Sequence, residues 1–370
     1  MITTERKAWL LLQDGTLFEG KSFGAEGSSI GEVIFSTSMA GYQEALSDPT
    51  YYGQILTQTF PLIGNYGVNS EDMSADRCFL HGYIVREWCD TPSNFRCEGD
   101  IDKFLKEQGV IGLYGIDTRH LTKILREKGT MNGLITTEAI RDKANTLKKI
   151  AKYTVKNAIQ SVTEGTPLLS ETSQLGPQAE LRIGILNLGC CEYLKEEMLG
   201  RDCDTVIFNP NQPASTILEN KVDGIILSEG PGDPAEDKDV LKTIEELIDD
   251  GIPMMGIGLG HQMLALANDM KCRRMLHGHR GASQPVIDTL TGKTYITSQN
   301  HGYAVNEETV DEDVANIRYK NANDKSCEGL VYKDIPALSV QFRPQGDGSD
   351  QDTAFLYDEF VEMVKRQAAR

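Results

Sequence analysis

Residues 255–262 read Met-Gly-Ile-Gly-Leu-Gly-His-Gln and join an apolar run, Pro253 to Ile257, to a helix-like stretch from Leu259 to Ala267. A G-x-nucleophile-x-G word at such a junction holds its central side chain on a tight turn, beside the backbone N–H groups that open the helix. Here the central residue is Gly258, which has no side chain to attack with. A glycine-rich turn can also cradle a phosphate, but on its own it does not specify one. Thiols are the other candidate nucleophiles. The eight cysteines are Cys78, Cys89, Cys97, Cys190, Cys191, Cys203, Cys272 and Cys327. None forms a C-x-x-C pair and the spacings do not suggest zinc, so they are expected as reduced, mostly buried thiols. Glu245, Glu246, Asp249 and Asp250 read as the solvated face of a helix, and His277 and His279 as loop or interface residues. No metal site and no cofactor is expected.

The elements that would hold the turn are legible on either side of it. Arg182 to Asn187, Thr205 to Phe208, Gly224 to Leu227 and Pro253 to Ile257 are short, non-alternating apolar runs. They alternate with helical stretches, one of which (Asp237 to Asp250) carries Val240, Leu241, Ile244, Leu247 and Ile248 on one face. That alternation predicts βαβ units and a parallel sheet. Strand-like runs follow between Lys271 and Gln341, and a helix over Phe355 to Lys365. The first part reads as mixed β and α, with a hairpin around Asp14-Gly15, a strand over Gly31 to Ser38, a turn at Asp48-Pro49, and a helix over Asp117 to Lys128 with Asp117 as cap, Leu121, Ile124 and Leu125 as its apolar stripe and Gly129 as its stop. Residues 161–180 are rich in Ser, Thr, Gly, Gln and Pro without a period. They are taken as a linker between a domain over 1–160 and another over 181–370.

The chain has 370 residues, with 55 acidic and 37 basic side chains and a formal charge of −18. That field repels phosphate backbones, so no nucleic-acid partner is expected. No apolar run has the roughly 18–20 residues that span a bilayer, so no membrane association is expected. The N-terminus lacks the apolar core of a signal peptide, and a cytoplasmic location is expected.

Longer words identify a family. Leu227-Ser-Glu-Gly-Pro-Gly-Asp-Pro234, Gly256-Ile-Gly-Leu-Gly-His-Gln262 and Thr297-Ser-Gln-Asn-His-Gly-Tyr303 come in the order of a class I glutamine amidotransferase domain. Phe35-Ser-Thr-Ser-Met-Ala-Gly-Tyr-Gln-Glu44, Asp48-Pro-Thr-Tyr-Tyr52, Pro61-Leu-Ile-Gly-Asn65 and Ile116-Asp-Thr-Arg-His-Leu-Thr122 precede them. Together these resemble the small chain of carbamoyl phosphate synthetase, from about residue 8 to about 365. The resemblance implies an α/β fold: an N-terminal mixed α/β small-chain domain, then a flavodoxin-like, mainly parallel amidotransferase domain. It also implies an activity. In the family this chain hydrolyses glutamine with a Cys nucleophile, a His base and a Glu that orients the His. The ammonia passes to a large ATP-grasp chain that makes carbamoyl phosphate from it, bicarbonate and ATP.

At all three catalytic positions the sequence departs from the family. The nucleophile position is Gly258. The family's H-P-E word is here Arg343-Pro-Gln345, so Arg343 stands for the base and Gln345 for its orienting carboxylate. Glycine cannot form a thioester, a guanidinium stays protonated, and a neutral amide cannot stabilise an imidazolium as a carboxylate does. The glutamine-binding positions carried over by motif are Thr50 (where Ser is usual), Gly230, Gly232, Leu259, Gln262, Asn300, Gly302 and Tyr303, with His301 lining the site. Glu229 replaces a usual Asn, and an ion pair between Glu229 and Arg343 would fill the vacated position. A relocated nucleophile at Cys190 or Cys191 is a further option.

The expected role is therefore a small chain without glutaminase activity that supports ammonia-dependent carbamoyl phosphate synthesis, with the large ATP-grasp chain as partner and glutamine as a candidate ligand. Arginine and pyrimidine biosynthesis are the two pathways the resemblance offers. The alternatives are a repurposed paralogue that binds or regulates, or serves another ATP-grasp or carbamoylating system, and an active glutamine-dependent small chain.

Overall fold

The computed structural model describes residues 6–172, 179–346 and 352–369. It comprises two units, Met1–Lys156 and Asn157–Arg370.

The first unit is built on a closed barrel. Its strands are β1 (Lys7–Leu12), β2 (Leu17–Gly24), β3 (Ser28–Ser36), β4 (Gln54–Gln58), β6 (Gly82–Ile84), β8 (Ile111–Tyr114) and β9 (Met131–Thr136). Around the barrel the order is β1-β2-β8-β6-β4-β3-β9, and β5 (Leu62–Ile63) pairs with β7 (Glu87–Trp88) outside it. The hairpin around Asp14-Gly15 joins β1 to β2 with Leu11 opposite Leu17. Leu10, Leu12, Val33, Ile55, Ile84, Leu113 and Ile135 fill one core with Leu121, Ile124 and Leu125, which come from the helix over Thr118–Lys128. As predicted, the Asp117 side chain accepts from the His120 N–H (2.9 Å) and Gly129, at φ +92°, ends the helix.

In the second unit a helix over Ala158–Thr163 precedes a ten-stranded sheet. The sheet contains β10 (Leu169–Thr172), β11 (Leu181–Leu186), β12 (Cys203–Phe208), β13 (Gly224–Leu227), β14 (Met254–Ile257), β15 (Cys272–Asp288), β16 (Thr294–Val305), β17 (Ala315–Asn321), β18 (Cys327–Tyr332) and β19 (Ala337–Val340). Five strands are parallel, in the order β12-β11-β13-β14-β19. Counted along the chain, that is 2-1-3-4-5, the doubly wound flavodoxin-like order the resemblance implies. Alternate residues of these apolar runs enter two different cores. Leu186, Ile225, Leu227 and Met254 face the helices over Ala214–Glu219, Lys238–Asp250 and Leu259–Leu266. Ile183, Ile185, Ile226, Met255 and Ile257 face the helices over Glu192–Leu199 and Phe355–Ala368. Burial on both faces explains why these runs do not alternate. Beyond β19 the sheet continues through antiparallel β18, β17, β15 and β16. Among the described residues, no helix is long and apolar enough to cross a membrane.

Two expectations need correction. Of the stretch read as linker, 161–163 belong to the helix that begins at Ala158 and 169–172 form β10, antiparallel to β12; residues 173–178 of that stretch lie outside the described residues. A four-residue edge strand with one apolar residue, Leu169, is too short to show a period. His277 and His279, expected as loop or interface residues, lie inside the 17-residue β15 rather than in a loop, and His279 is buried.

The turn after β14 depends on close backbone packing. A Cβ at Gly260 would sit 2.2 Å from the Leu227 carbonyl oxygen. Gly260→Ala is accordingly expected to destabilise the chain by about 3 kcal/mol, read by urea denaturation. A loss below about 1 kcal/mol would show that β13 and the helix after β14 are not packed as described.

Candidate functional site

Gly258 sits where β14 hands over to the helix Leu259–Leu266, at φ +56° and ψ −111°. Its N–H donates to the Val340 carbonyl at the end of β19 (2.9 Å), and its own carbonyl accepts from the Gln262 N–H (3.3 Å). The backbone thus makes the sharp strand-to-helix turn that would present a nucleophile, in a conformation that suits glycine and strains other residues.

Glu229 takes the space above the turn. A Cβ built on Gly258 would lie 2.9 Å from Glu229 Cγ. Glu229 is held by an antiparallel bridge to Cys190, whose N–H donates to the Glu229 carbonyl (3.0 Å). Its carboxylate is nearly sealed from water, with 7 % of the side chain exposed. Arg343 Nε donates to Glu229 Oε2 at 2.8 Å and Oε1 at 3.1 Å, and the Tyr193 hydroxyl donates to Oε1 at 3.0 Å. Arg343 is itself placed by a bridge to Ser298, its N–H donating to the Ser298 carbonyl (3.0 Å). The ion pair expected from the sequence is present.

Gln345 is turned to a different task. Its Oε1 accepts from the Tyr357 hydroxyl at 2.7 Å. Tyr193 and Tyr357 are the participants that sequence reasoning missed, because a Tyr on an amphipathic helix looks like any other core residue. Burial pushes both phenols far above their ordinary range, and the nearby carboxylates add to it, so both act as neutral donors.

None of the neighbouring groups described here is poised as a replacement base or nucleophile. Burial holds His261 near a pKa of about 3; it is a neutral imidazole with Nδ1 2.7 Å from Ser339 Oγ. Burial lowers His301 as well. Cys191 is buried and its thiol is pushed up to about 12 by desolvation, first, and by Glu192, so it is not a thiolate at neutral pH.

The residues named for glutamine binding fall in several places. Gly230 and Gly232 form the turn after β13, and Leu259 and Gln262 lie on the helix after Gly258. Asn300, Gly302 and Tyr303 lie on β16. Gln262 Nε2 already donates to the Tyr303 carbonyl and to Gln341 Oε1, both at 2.8 Å. Thr50 belongs to the first unit, buried, with its hydroxyl donating to Asp48 Oδ1 (2.6 Å).

Comparison with known proteins agrees with this architecture. Residues 10–135 match the family described as carbamoyl-phosphate synthase small chain, CPSase domain, and residues 186–363 match glutamine amidotransferase class-I. A carbamoyl phosphate synthase small chain from Fusobacterium nucleatum is 40 % identical over 96 % of this chain and 97 % of its own length. One from Archaeoglobus fulgidus is 40 % identical over 97 % of this chain and 99 % of its own.

The charge pair can be tested directly. Removing one partner of a buried pair leaves the other charge stranded, so Glu229→Gln or Arg343→Met alone is expected to cost about 3 kcal/mol, the double variant clearly less than the sum. A coupling near zero in that cycle would mean that the two side chains do not sense each other.

Proposed function

The chain belongs to the carbamoyl phosphate synthase small-chain family, and from that premise we propose that it is a docking subunit without glutaminase activity. It pairs with a large ATP-grasp chain and supports carbamoyl phosphate synthesis from bicarbonate, ATP and free ammonia. The observation that carries this reading is the Glu229–Arg343 pair lying over Gly258.

The chemistry follows from the three side chains. Hydrolysis of a carboxamide through a thioester needs a thiolate, a group to take its proton and give it to the leaving ammonia, and donors for the oxyanion. Gly258 supplies no thiolate. Arg343 has its Nε proton committed to Glu229 and cannot take another. Gln345 accepts from Tyr357 instead of orienting a base. A carboxylate at 229, its Cγ 2.9 Å from where a Cβ at 258 would stand, also adds negative charge beside the reacting position, which opposes an oxyanion there. In an unrelated triad enzyme, subtilisin, loss of the nucleophile alone lowers kcat on the order of 10⁶-fold. The long matching words of the first unit support retained docking.

The measurement is carbamoyl phosphate formation by this chain copurified with its large chain, with glutamine or ammonium as nitrogen donor. Activity with ammonium and a glutamine-dependent rate at least about 10³-fold lower is expected. Comparable rates with the two donors would overturn the reading.

The site also predicts how glutaminase activity would return. Gly258→Cys alone is expected to give no activity, because the new side chain meets Glu229 Cγ and still lacks a base. The combination Glu229→Asn, Gly258→Cys, Arg343→His and Gln345→Glu removes the obstruction and supplies all three roles. Glutamate release from glutamine by the quadruple variant in the assembled complex, and by no single variant, is the expected result.

A further inference from the structure

A second group of polar side chains lies deep in the antiparallel part of the second unit's sheet. His279 on β15 stands directly opposite His301 on β16, so both imidazoles leave the same face. Their rings are perpendicular with centroids 5.0 Å apart. Glu328 on β18 reaches the same point and is fully buried, and His279, His301 and Gln299 are all under one-tenth exposed. His279 Nδ1 lies 3.1 Å from both Glu328 Oε1 and Gln299 Oε1, and His301 Nε2 lies 3.1 Å from the same Gln299 Oε1.

The outer nitrogens show how the inner ones are used. His301 Nδ1 is 2.7 Å from the Tyr303 carbonyl, which only accepts, so that nitrogen carries the proton. His301 Nε2 is then a lone pair, and it faces the Gln299 oxygen, another lone pair. With Glu328 ionised, the form in which it could ligate, turning the Gln299 amide over moves the conflict rather than removing it. Its oxygen would then face the Glu328 carboxylate, 3.0 Å from the present Gln299 Nε2. His279 Nε2 lies 3.0 Å from Asp324 Oδ2. A proton shared with His279 does not cure the mismatch either, since His301 Nε2 still meets Gln299 Oε1. Glu328 has donors of its own in Ser326 Oγ (3.1 Å), Asn321 Nδ2 (3.3 Å) and Gln299 Nε2 (3.0 Å), so the mismatch that remains is His301 Nε2 against Gln299 Oε1, two lone pairs 3.1 Å apart, which a cation between them would relieve.

We propose that His279 Nδ1, His301 Nε2, the Glu328 carboxylate and Gln299 Oε1 bind one divalent transition-metal ion, zinc by the chemistry of the set. The ligating atoms of the two histidines and Glu328 lie within 4.8 Å of one another. Tetrahedral zinc with bonds of about 2.0–2.1 Å needs edges of about 3.3 Å, reached by shifts of under about 1 Å per side chain. The outer contacts are those of ligating histidines, each giving its second N–H to a carboxylate or a carbonyl. With four protein ligands and no water-exposed position, the ion would be structural. It would staple β15, β16 and β18 together.

The test uses the full chain, stripped with a chelator and dialysed under reducing conditions against micromolar zinc, with bound metal measured by plasma mass spectrometry. About one equivalent per chain is expected, together with a rise in Tm on adding zinc. Cobalt in place of zinc is expected to give tetrahedral d–d bands without a sulfur-to-metal charge-transfer band, which separates this site from the cysteines. Glu328→Gln, which keeps the side-chain volume, should lose the equivalent and the zinc-dependent Tm rise while keeping a native circular dichroism spectrum. Asp324→Asn should weaken binding about 10- to 100-fold through His279. Less than about a tenth of an equivalent on the folded, unsubstituted chain would overturn the proposal. So would a thiolate charge-transfer band, or unchanged binding in Glu328→Gln.

Discussion

The Glu229 carboxylate sits where almost no water can reach it, and the neighbourhood of Gly258 is arranged around answering that charge. An unpaired carboxylate in such a place would cost several kcal/mol. Arg343 answers it through two short contacts from one nitrogen, and Tyr193 adds a neutral donor on the remaining side. Each partner is placed by backbone rather than by chance of rotamer. Glu229 is bridged to Cys190, Arg343 to Ser298, and Tyr193 lies in the first turn of the helix that follows Cys191. The interaction therefore ties together the ends of β11, β13 and the segment after β19, which are the strand ends that converge at the crevice of a doubly wound sheet.

That convergence is set by topology before any side chain is chosen. The order 2-1-3-4-5 brings the carboxyl ends of the parallel strands to one edge, and β14 lies between β13 and β19. The turn at Gly258 is anchored on both sides, to Val340 through its own N–H and to the β13 end through the Gly260 N–H, which donates to the Ser228 carbonyl. The sharp turn is thus a property of the sheet. It persists with a glycine at its apex, which explains how the architecture of an amidotransferase and the absence of a nucleophilic side chain coexist in one chain.

Much of this was legible in the sequence. The four apolar runs at 182–187, 205–208, 224–227 and 253–257 became β11 to β14 because strands covered on both faces need apolar residues at every position. The Asp117 cap and the Gly129 stop worked as local chemistry says they should. The Glu229–Arg343 pair could be anticipated because two opposite charges had replaced residues at matching motif positions. What was not legible lay in pairings between distant segments. Tyr193 and Tyr357 carry no local sign of their hydroxyl partners. The strand β10 is four residues long with a single apolar residue, Leu169, too short for a period to show. The His279, His301, Gln299 and Glu328 cluster comes from three strands whose register a short-range pattern does not contain, and no Cys or His spacing announces it.

The site also couples positions that look independent along the chain. A side chain at 258 and a glutamate at 229 compete for the same volume, with Glu229 Cγ 2.9 Å from where a Cβ would stand. Glu229 in turn needs a cation at 343, since a neutral imidazole there would leave the carboxylate poorly matched. Two arrangements are therefore self-consistent. In one, a nucleophile at 258 stands beside a small neutral residue at 229 and a neutral base at 343. In the other, glycine, glutamate and arginine fill the same space as a closed charge pair. Mixtures carry either a steric clash or a stranded charge, so the three positions behave as one unit. A change at any one of them takes its effect on stability or chemistry from the state of the other two.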